Sequence, residues 1–367
     1  MMNLDSERVA QSVSETDWQD AIRTCHLLRV AETIEETHDT LSIVFEVPAA
    51  LQDAFAYRAG QFLSFKVPHE GKVLVRSYSL SSSPETDSAP KVTVKRVEDG
   101  RISNWMNDHV RADVSLMVVP PAGLFVLDPQ STRDVVLFSG GSGITPCISI
   151  IKTALVSSQR KLTLFYANRD ARSIIFSKEL ESLQQQHPGR LEITHSLDAE
   201  RGFVTADDVR GVVGSAPDRD FFLCGPGEFM DTVEAALQNA GVARDRIAIE
   251  RFVSPTDPGD DATTDTAASE TSGDAPATIT IALDGQEHEV PYEPGERILE
   301  AARRAGLDPP FSCEEGYCSC CMAKAPSGTL EMATNDCLTP DLLEEGWVLT
   351  CQARCKGGGK VRIEYPD

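Results

Sequence analysis

A multi-domain architecture is predicted: an antiparallel β-barrel, then an α/β domain on a parallel sheet, then a small β-grasp module. Three observations predict it. The texture of the chain changes near Leu127 to Arg133, from short alternating runs to solid apolar strands separated by helical stretches. A stretch from Ser254 to Pro276 of Pro, Gly, Asp, Ala, Thr, Ser and Glu has no aromatic or large aliphatic side chain, so it cannot bury enough surface to order itself. Seven of ten cysteines then fall between Cys313 and Cys355. At 367 residues the chain is long enough for two or three cores.

The barrel is read from four β-branched runs: Leu41-Ser-Ile-Val-Phe-Glu-Val47, Gln61-Phe-Leu-Ser-Phe-Lys-Val67, Lys91-Val-Thr-Val-Lys-Arg-Val97 and Val114-Ser-Leu-Met-Val-Val119. Turn residues separate them, as in antiparallel barrels. Beyond the change of texture, strands at Asp134–Phe138, Lys161–Tyr166, Leu191–His195 and Phe221–Cys224 alternate with helices from about Pro146, over Phe176–Gln186 and over Gly227–Ala240. That alternation predicts βα units and a parallel sheet. In the tail, strands at Thr278–Leu283, Glu287–Pro291 and Lys360–Tyr365 with a helix at Ile298–Ala305 fit a β-grasp. The expected boundaries are a flexible N-terminus at 1–21, the barrel at 22–128, the α/β domain at 129–253, the acidic linker at 254–277 and the last module at 278–367.

Charge narrows the function classes. Thirty-four Lys and Arg against 57 Asp and Glu give −23, which disfavours nucleic acid and anionic membranes as partners. From Ser254 onward 22 acids face 8 bases, so the tail carries −14 of that total, a surface suited to a basic protein partner or simply to solvent. No run approaches the roughly 18 apolar residues of a membrane span, and Met1 to Ala21 has no basic and apolar leader pattern, so a cytoplasmic location is expected. Clustered thiols in such a compartment point to a metal.

The cysteine spacing is specific. Cys313, Cys318 and Cys321 follow C-x₄-C-x₂-C, and Cys351 comes after 29 intervening residues. This is the plant-type pattern for a [2Fe–2S] cluster, in which one tight loop converges three thiolates and a distant fourth closes the cage. Gly316 lets that loop turn. Structural zinc prefers two close ligand pairs, which this spacing does not offer. Cys320, Cys337 and Cys355 read as buried small side chains, with a one-residue ligand shift to Cys320 conceivable.

Two further signals concern nucleotides. In Arg76-Ser-Tyr-Ser79 the guanidinium can neutralise a phosphate, the Tyr78 ring can pack on an isoalloxazine and the Ser79 hydroxyl can reach its reducible nitrogen. On its own the tetrapeptide is also ordinary strand. Gly100-Arg-Ile-Ser-Asn-Trp105 opens a helix whose amides, with Ser103, can hold an anion, and Pro121-Ala-Gly-Leu-Phe125 follows at another strand end. Gly140-Gly-Ser-Gly-Ile-Thr-Pro146 sits between a strand and a helix, where a pyrophosphate can approach the backbone. Cys224-Gly-Pro-Gly227 occupies a second such junction, and Cys224 there is either a nicotinamide neighbour or a buried strand thiol. The seven histidines show no ligand spacing.

Taken together, these motifs resemble the ferredoxin–NADP reductase superfamily fused to a C-terminal plant-type ferredoxin, in the arrangement of oxygenase reductase components. The resemblance covers Cys25 to Asp367 and implies roles by position. Arg76, Tyr78, Ser79 and Leu80 would hold FAD, with Arg101, Ile102 and Ser103 at its pyrophosphate and Phe125 at its adenine half. Gly141, Gly143, Thr145, Arg169, Cys224, Gly225 and Pro226 would hold the nicotinamide dinucleotide. Tyr78, Ser79, Cys224 and Phe252 would border the reacting rings, and Cys313, Cys318, Cys321 and Cys351 would bind the cluster. The superfamily's NADPH enzymes carry a Ser-Arg pair where this chain reads Ser196-Leu-Asp198; an acid there favours NADH, with Arg201 as the competing feature. The implied activity is that of an NADH-dependent reductase passing single electrons from FAD through [2Fe–2S] to a terminal oxygenase, Rieske-type or di-iron. The rivals are a self-contained NAD(P)H reductase of small acceptors and a redox-sensing binding module.

Overall fold

The computed structural model describes residues 25–214, 216–252, 276–311, 314, 316, 320–335, 338 and 340–366. The expected N-terminal tail and nearly all of the linker lie outside the described residues. Two compact units divide between Phe252 and Val253.

The first unit begins with six strands: β1 (His26–Thr37), β2 (Thr40–Glu46), β3 (Phe62–His69), β4 (Lys72–Ser79), β5 (Lys91–Lys95) and β6 (Ser115–Ala122). They pair antiparallel in the order β4-β3-β6-β1-β2-β5. A bridge between Leu80 and Val92 then joins the two outer strands and closes the barrel. Its interior is filled by Leu28, Val30, Ile43, Phe45, Leu63, Phe65, Val92 and Val94. Helix α1 (Arg101–His109) adds Ile102 and Met106 to that core. Strand β1 has no counterpart in the sequence reading, because only Leu28 and Val30 of its twelve residues are buried.

The chain continues through β7 (Val135–Gly140), α2 (Ile144–Ser157), β8 (Leu162–Asn168), α3 (Ser177–Gln186), β9 (Leu191–Leu197), α4 (Ala206–Val213), β10 (Asp220–Gly225), α5 (Gly227–Asn239) and β11 (Ile247–Arg251). All five strands are parallel, ordered β11-β10-β7-β8-β9. The chain builds β7, β8 and β9 in one direction, then returns to lay β10 and β11 on the other side of β7. The crevice at the carboxyl ends of β7 and β10 is therefore the topological switch point, where open parallel sheets bind ligands.

Helix α2 is buried on every side from Ile144 to Leu155. The sheet covers one face and the barrel the other. Ala59 and Phe125 of the barrel belong to the same apolar cluster as Cys147, Ile150 and Ile151 of α2. Polar contacts reinforce this seam: Ser149 Oγ donates to the Ser82 carbonyl at 2.5 Å, and the Ser83 and Thr153 hydroxyls lie 2.7 Å apart. Lys152, nearly fully buried on α2, bridges Asp87 at 2.8 Å and Glu179 of α3 at 3.1 Å. Barrel and α/β domain thus share a core and an ionic lock.

The second unit contains β12 (Thr278–Leu283), β13 (Gln286–Pro291), α6 (Ile298–Arg304), β14 (Met322–Ser327), β15 (Leu330–Met332), α7 (Pro340–Glu344), β16 (Trp347–Leu349), β17 (Ala353–Cys355) and β18 (Arg362–Glu364). A mixed sheet runs β13-β12-β18-β14-β16, with β12 and β18 parallel, and β15 pairs with β17. Ile298, Ala301 and Ala302 of α6 pack on Ile279, Ile281 and Ile363 of the sheet, a helix grasped by strands.

Candidate redox site

The first site forms at the switch point. Gly140 ends β7 and Gly141–Gly143 make one tight helical turn before α2. A Cβ on Gly143 would lie 2.1 Å from the Cys224 carbonyl, so the two ligand-facing turns touch and only glycine fits. Gly141 has φ +51, and a Cβ there would meet nothing closer than Lys95 Nζ at 3.8 Å. The turn therefore opens onto space faced by a cation, which suits a pyrophosphate. Thr145 Oγ1 donates to the Ser142 carbonyl at 3.0 Å and the Tyr166 hydroxyl donates to the Gly141 carbonyl at 3.0 Å, both fixing the turn.

Lys95 comes from barrel strand β5. Burial pushes its ammonium pKa down, while Asp39 at 4.0 Å opposes that shift. Arg169, just past β8, also reaches Asp39, at 3.3 Å. One carboxylate at the β1–β2 turn thus tethers both cations at the crevice mouth.

Deeper in the crevice, Cys224 of β10 lies in register with Glu250 of β11. Ser79 Oγ, at the end of barrel strand β4, donates to Glu250 Oε2 at 2.9 Å. Burial raises the Glu250 carboxyl to about 7, and the hydrogen bond from Ser79 partly counters it. Burial first, then the nearby Glu250 and Cys147, pushes the Cys224 thiol well above its ordinary value, so it is a neutral thiol. The arrangement brings a hydroxyl and a protonatable carboxyl together beside a fully buried, neutral thiol.

The remaining expected flavin residues fall into two groups. Arg76 and Tyr78 alternate with Ser77 and Ser79 along β4; the Tyr78 ring centroid is 5.9 Å from Phe65, and burial raises its phenol pKa. Arg101 begins α1, whose first turn has no side-chain cap, leaving its amides to an anion. Leu80 and Ile102, by contrast, direct their side chains into the barrel core. The Ser103 hydroxyl accepts from Val97 N at 3.2 Å and donates to the Gly100 carbonyl at 3.4 Å, so it braces the turn. Phe125 packs edge-on against Phe222, centroids 5.3 Å apart, within the shared core. Phe252 follows β11 and is 44% exposed. Gly225 and Pro226 pack against Gly140: a Cβ on Gly140 would lie 2.8 Å from Pro226 Cδ.

The second site lies in the C-terminal unit. Cys321 and Cys351 are buried, whereas Cys313, Cys318 and Cys337 lie outside the described residues. A hydrogen bond with Cys321, the Gln352 amide and the backbone of Gly316 lower the Cys351 thiol pKa, while burial opposes them. Gly316 has φ +92, and a Cβ there would lie 3.0 Å from the Thr334 carbonyl. Two adjacent buried thiols, amide donors and a glycine turn supply half of the four-thiolate donor set a [2Fe–2S] cluster requires. Cys320 and Cys355 are partly buried, which corrects the expectation of buried small side chains.

Sequence reasoning missed Glu250, Lys95, Lys152 and Gln352. Each acts across the fold, so no local spacing announces it.

Comparison with known proteins follows the same division. The family model described as an oxidoreductase FAD-binding domain matches residues 27–126, an oxidoreductase NAD-binding domain matches 137–235, and a 2Fe-2S iron-sulfur cluster binding domain matches 281–356. The ferredoxin reductase component of 3-ketosteroid-9-alpha-monooxygenase from Rhodococcus rhodochrous is 44% identical, covering 89% of this chain and 93% of that one. One component of the 1,2-phenylacetyl-CoA epoxidase of Escherichia coli is 34% identical, covering 90% and 95%. Phthalate dioxygenase reductase, solved as a modular structure for electron transfer from pyridine nucleotides to [2Fe–2S], superposes with a TM-score of 0.57 at 25% identity, covering 95% and 99%. Barrel, parallel-sheet domain and ferredoxin module match in order and over nearly the whole length, so the chain belongs to the family of FAD-, NAD- and [2Fe–2S]-dependent reductase components of oxygenases.

Proposed function

We propose that this reductase draws its electrons from NADH and delivers them singly to a terminal oxygenase of Rieske or di-iron type in the cytoplasm. The observation that carries the reading is the Ser79–Glu250 hydrogen bond, which ties the flavin-facing end of β4 to the carboxyl edge of the nucleotide sheet. With a nicotinamide as hydride donor, bound FAD would supply two-electron acceptance with one-electron release, and a bound [2Fe–2S] cluster would supply one-electron transfer.

The chain's own residues do the positioning. Lys95, Arg169 and the Gly140–Gly143 turn take the pyrophosphate, and Arg76 with the first turn of α1 takes that of FAD. Ser79 and Glu250 can hold or move a proton at the Ser79 hydroxyl. The neutral Cys224 thiol, fully buried beside Glu250, adds no charge. Cys313, Cys318, Cys321 and Cys351 supply the cluster's thiolates.

NADH is favoured by Asp198, which starts a single helical turn after β9 where an acid accepts a ribose hydroxyl and repels a phosphate. Arg201, the nearby cation that could have welcomed that phosphate, is paired with Asp208 at 3.2 Å. Initial rates with both nucleotides test this: kcat/KM for NADH should exceed that for NADPH at least about tenfold, the consequence of roughly 1.4 kcal/mol at the ribose. Equal efficiencies would reject the NADH assignment. For the partner, NADH-driven turnover of the oxygenase component of the Rhodococcus steroid monooxygenase is expected. A reductase active only on small acceptors would instead be self-contained.

A further inference from the structure

The C-terminal unit holds a polar side chain that no motif predicted. Gln352 follows Cys351 directly and is 4% exposed. Its Nε2 donates to the Glu314 carbonyl at 2.8 Å and lies 3.7 Å from Cys351 Sγ, within the range of an N–H···S hydrogen bond. The Glu314 carbonyl fixes which end of the amide faces the sulfur, since a carbonyl accepts only from the nitrogen. The backbone holds the side chain in place: Gln352 N donates to the Leu349 carbonyl at 2.9 Å, and its own carbonyl accepts from Ala333 N at 3.2 Å. Its Cγ lies 3.1 Å from where a Cβ on Gly316 would be, so Gly316 packs directly against it.

We propose that the Gln352 amide sets the reduction potential of the [2Fe–2S] centre by donating a hydrogen bond to the sulfur of its fourth ligand, Cys351. This rests on the reading of Cys351 as a ligand. Reduction adds one negative charge to the cluster and its thiolates, and a donor aimed at a ligand sulfur stabilises that charge more than it stabilises the oxidised state. Gln352 therefore raises the potential and makes the cluster a better electron acceptor. It acts through Cys351 and is a positioning residue, not a catalytic one. The one amide also clamps the Glu314 carbonyl, so loop geometry and potential are set together.

The test is redox titration of the full-length holoprotein, followed by the EPR signal of the reduced cluster, for wild type, Gln352→Met and Gln352→Glu. Methionine keeps the volume and removes the donor; glutamate keeps the shape and offers an acceptor. Both variants should retain iron and signal, with the ratio of oxidised to reduced cluster at a fixed potential raised about five- to tenfold, tenfold being 59 mV for a one-electron couple. Gln352→Glu should shift further than Gln352→Met. A loaded variant with the wild-type potential overturns the proposal, and so does loss of the cluster from both, which would make Gln352 a structural strut. Cys351→Ser separates the underlying reading: unchanged iron content and EPR signal there would remove Cys351 as a ligand, and with it the tuning role.

Discussion

The seam between barrel and α/β domain and the thiol pocket of the C-terminal unit solve different problems. The seam assembles its site from two domains: Ser79 and Lys95 come from the barrel, Glu250, Cys224 and the glycine turn from the parallel sheet. Shared apolar packing through α2 and the Lys152 lock hold these parts together. The thiol pocket draws on one module alone, and a linker with no large apolar side chain precedes it. Hydride transfer needs reacting atoms about 3–3.5 Å apart, which demands a fixed interface. One-electron transfer does not require such contact. Buried charge and shared packing are concentrated at the barrel–sheet seam, where contact geometry matters.

The sharpest break in this comparison is Cys321→Ser. It should abolish the cluster entirely while FAD content and NADH-driven reduction of a small dye remain, as measured by iron analysis and steady-state rates. Loss of flavin in that variant would mean the two units are not separable in this way.

Cutting the Ser79–Glu250 bond tests the seam. Ser79→Ala should slow flavin reduction by NADH about 10²-fold, the scale of a misplaced reacting group, with a much smaller change in nucleotide KM. Glu250→Gln keeps the acceptor and mimics the protonated acid, so it should preserve more of the rate. It should also alter pH dependence. The Glu250 pKa is raised from 4.5 to about 7 in the folded state, so the native protein holds a proton that the unfolded chain releases. Its stability contribution is fully present below 4.5, fades between 4.5 and 7 and is gone above. Relative to Glu250→Gln, wild type should lose about 3 kcal/mol across that window, at 1.36 kcal/mol per pKa unit. Urea unfolding followed by flavin absorbance at pH 4.5 and 8 measures it, and parallel profiles would refute the raised carboxyl pKa.

A smaller effect is expected from Lys152→Met. Removing the cation leaves Asp87 and Glu179 facing each other without their bridge. Because both carboxylates retain some solvent, the cost should be about 2 kcal/mol, below the roughly 3–5 of a fully buried pair. It should lower the unfolding midpoint of the flavin unit and leave the cluster's EPR signal unchanged. An equal shift in both units would erase the distinction between them.

Local pattern made much of this legible. Alternation revealed β2, β3, β5 and β6, apolar runs revealed four of the five parallel strands, and cysteine spacing identified the cluster type. Non-local pairing hid the rest. Ile247-Ala-Ile-Glu-Arg251 contains an acid in what becomes an edge strand, and only its register against β10 places Glu250 opposite Cys224. Lys152 stands out in no local pattern, because α2 is covered on both faces. Phe125 carries an adenine-binding signature in the sequence, but its ring packs against Phe222. Gln352 needed the Glu314 carbonyl, 38 positions away, to be oriented.

The most direct measurement is anaerobic stopped-flow mixing with NADH of wild type and of cluster-free Cys321→Ser. Flavin should bleach first and at the same rate in both, with cluster reduction following in wild type alone. Flavin that ignores NADH, or bleaches only when the cluster is present, would contradict it.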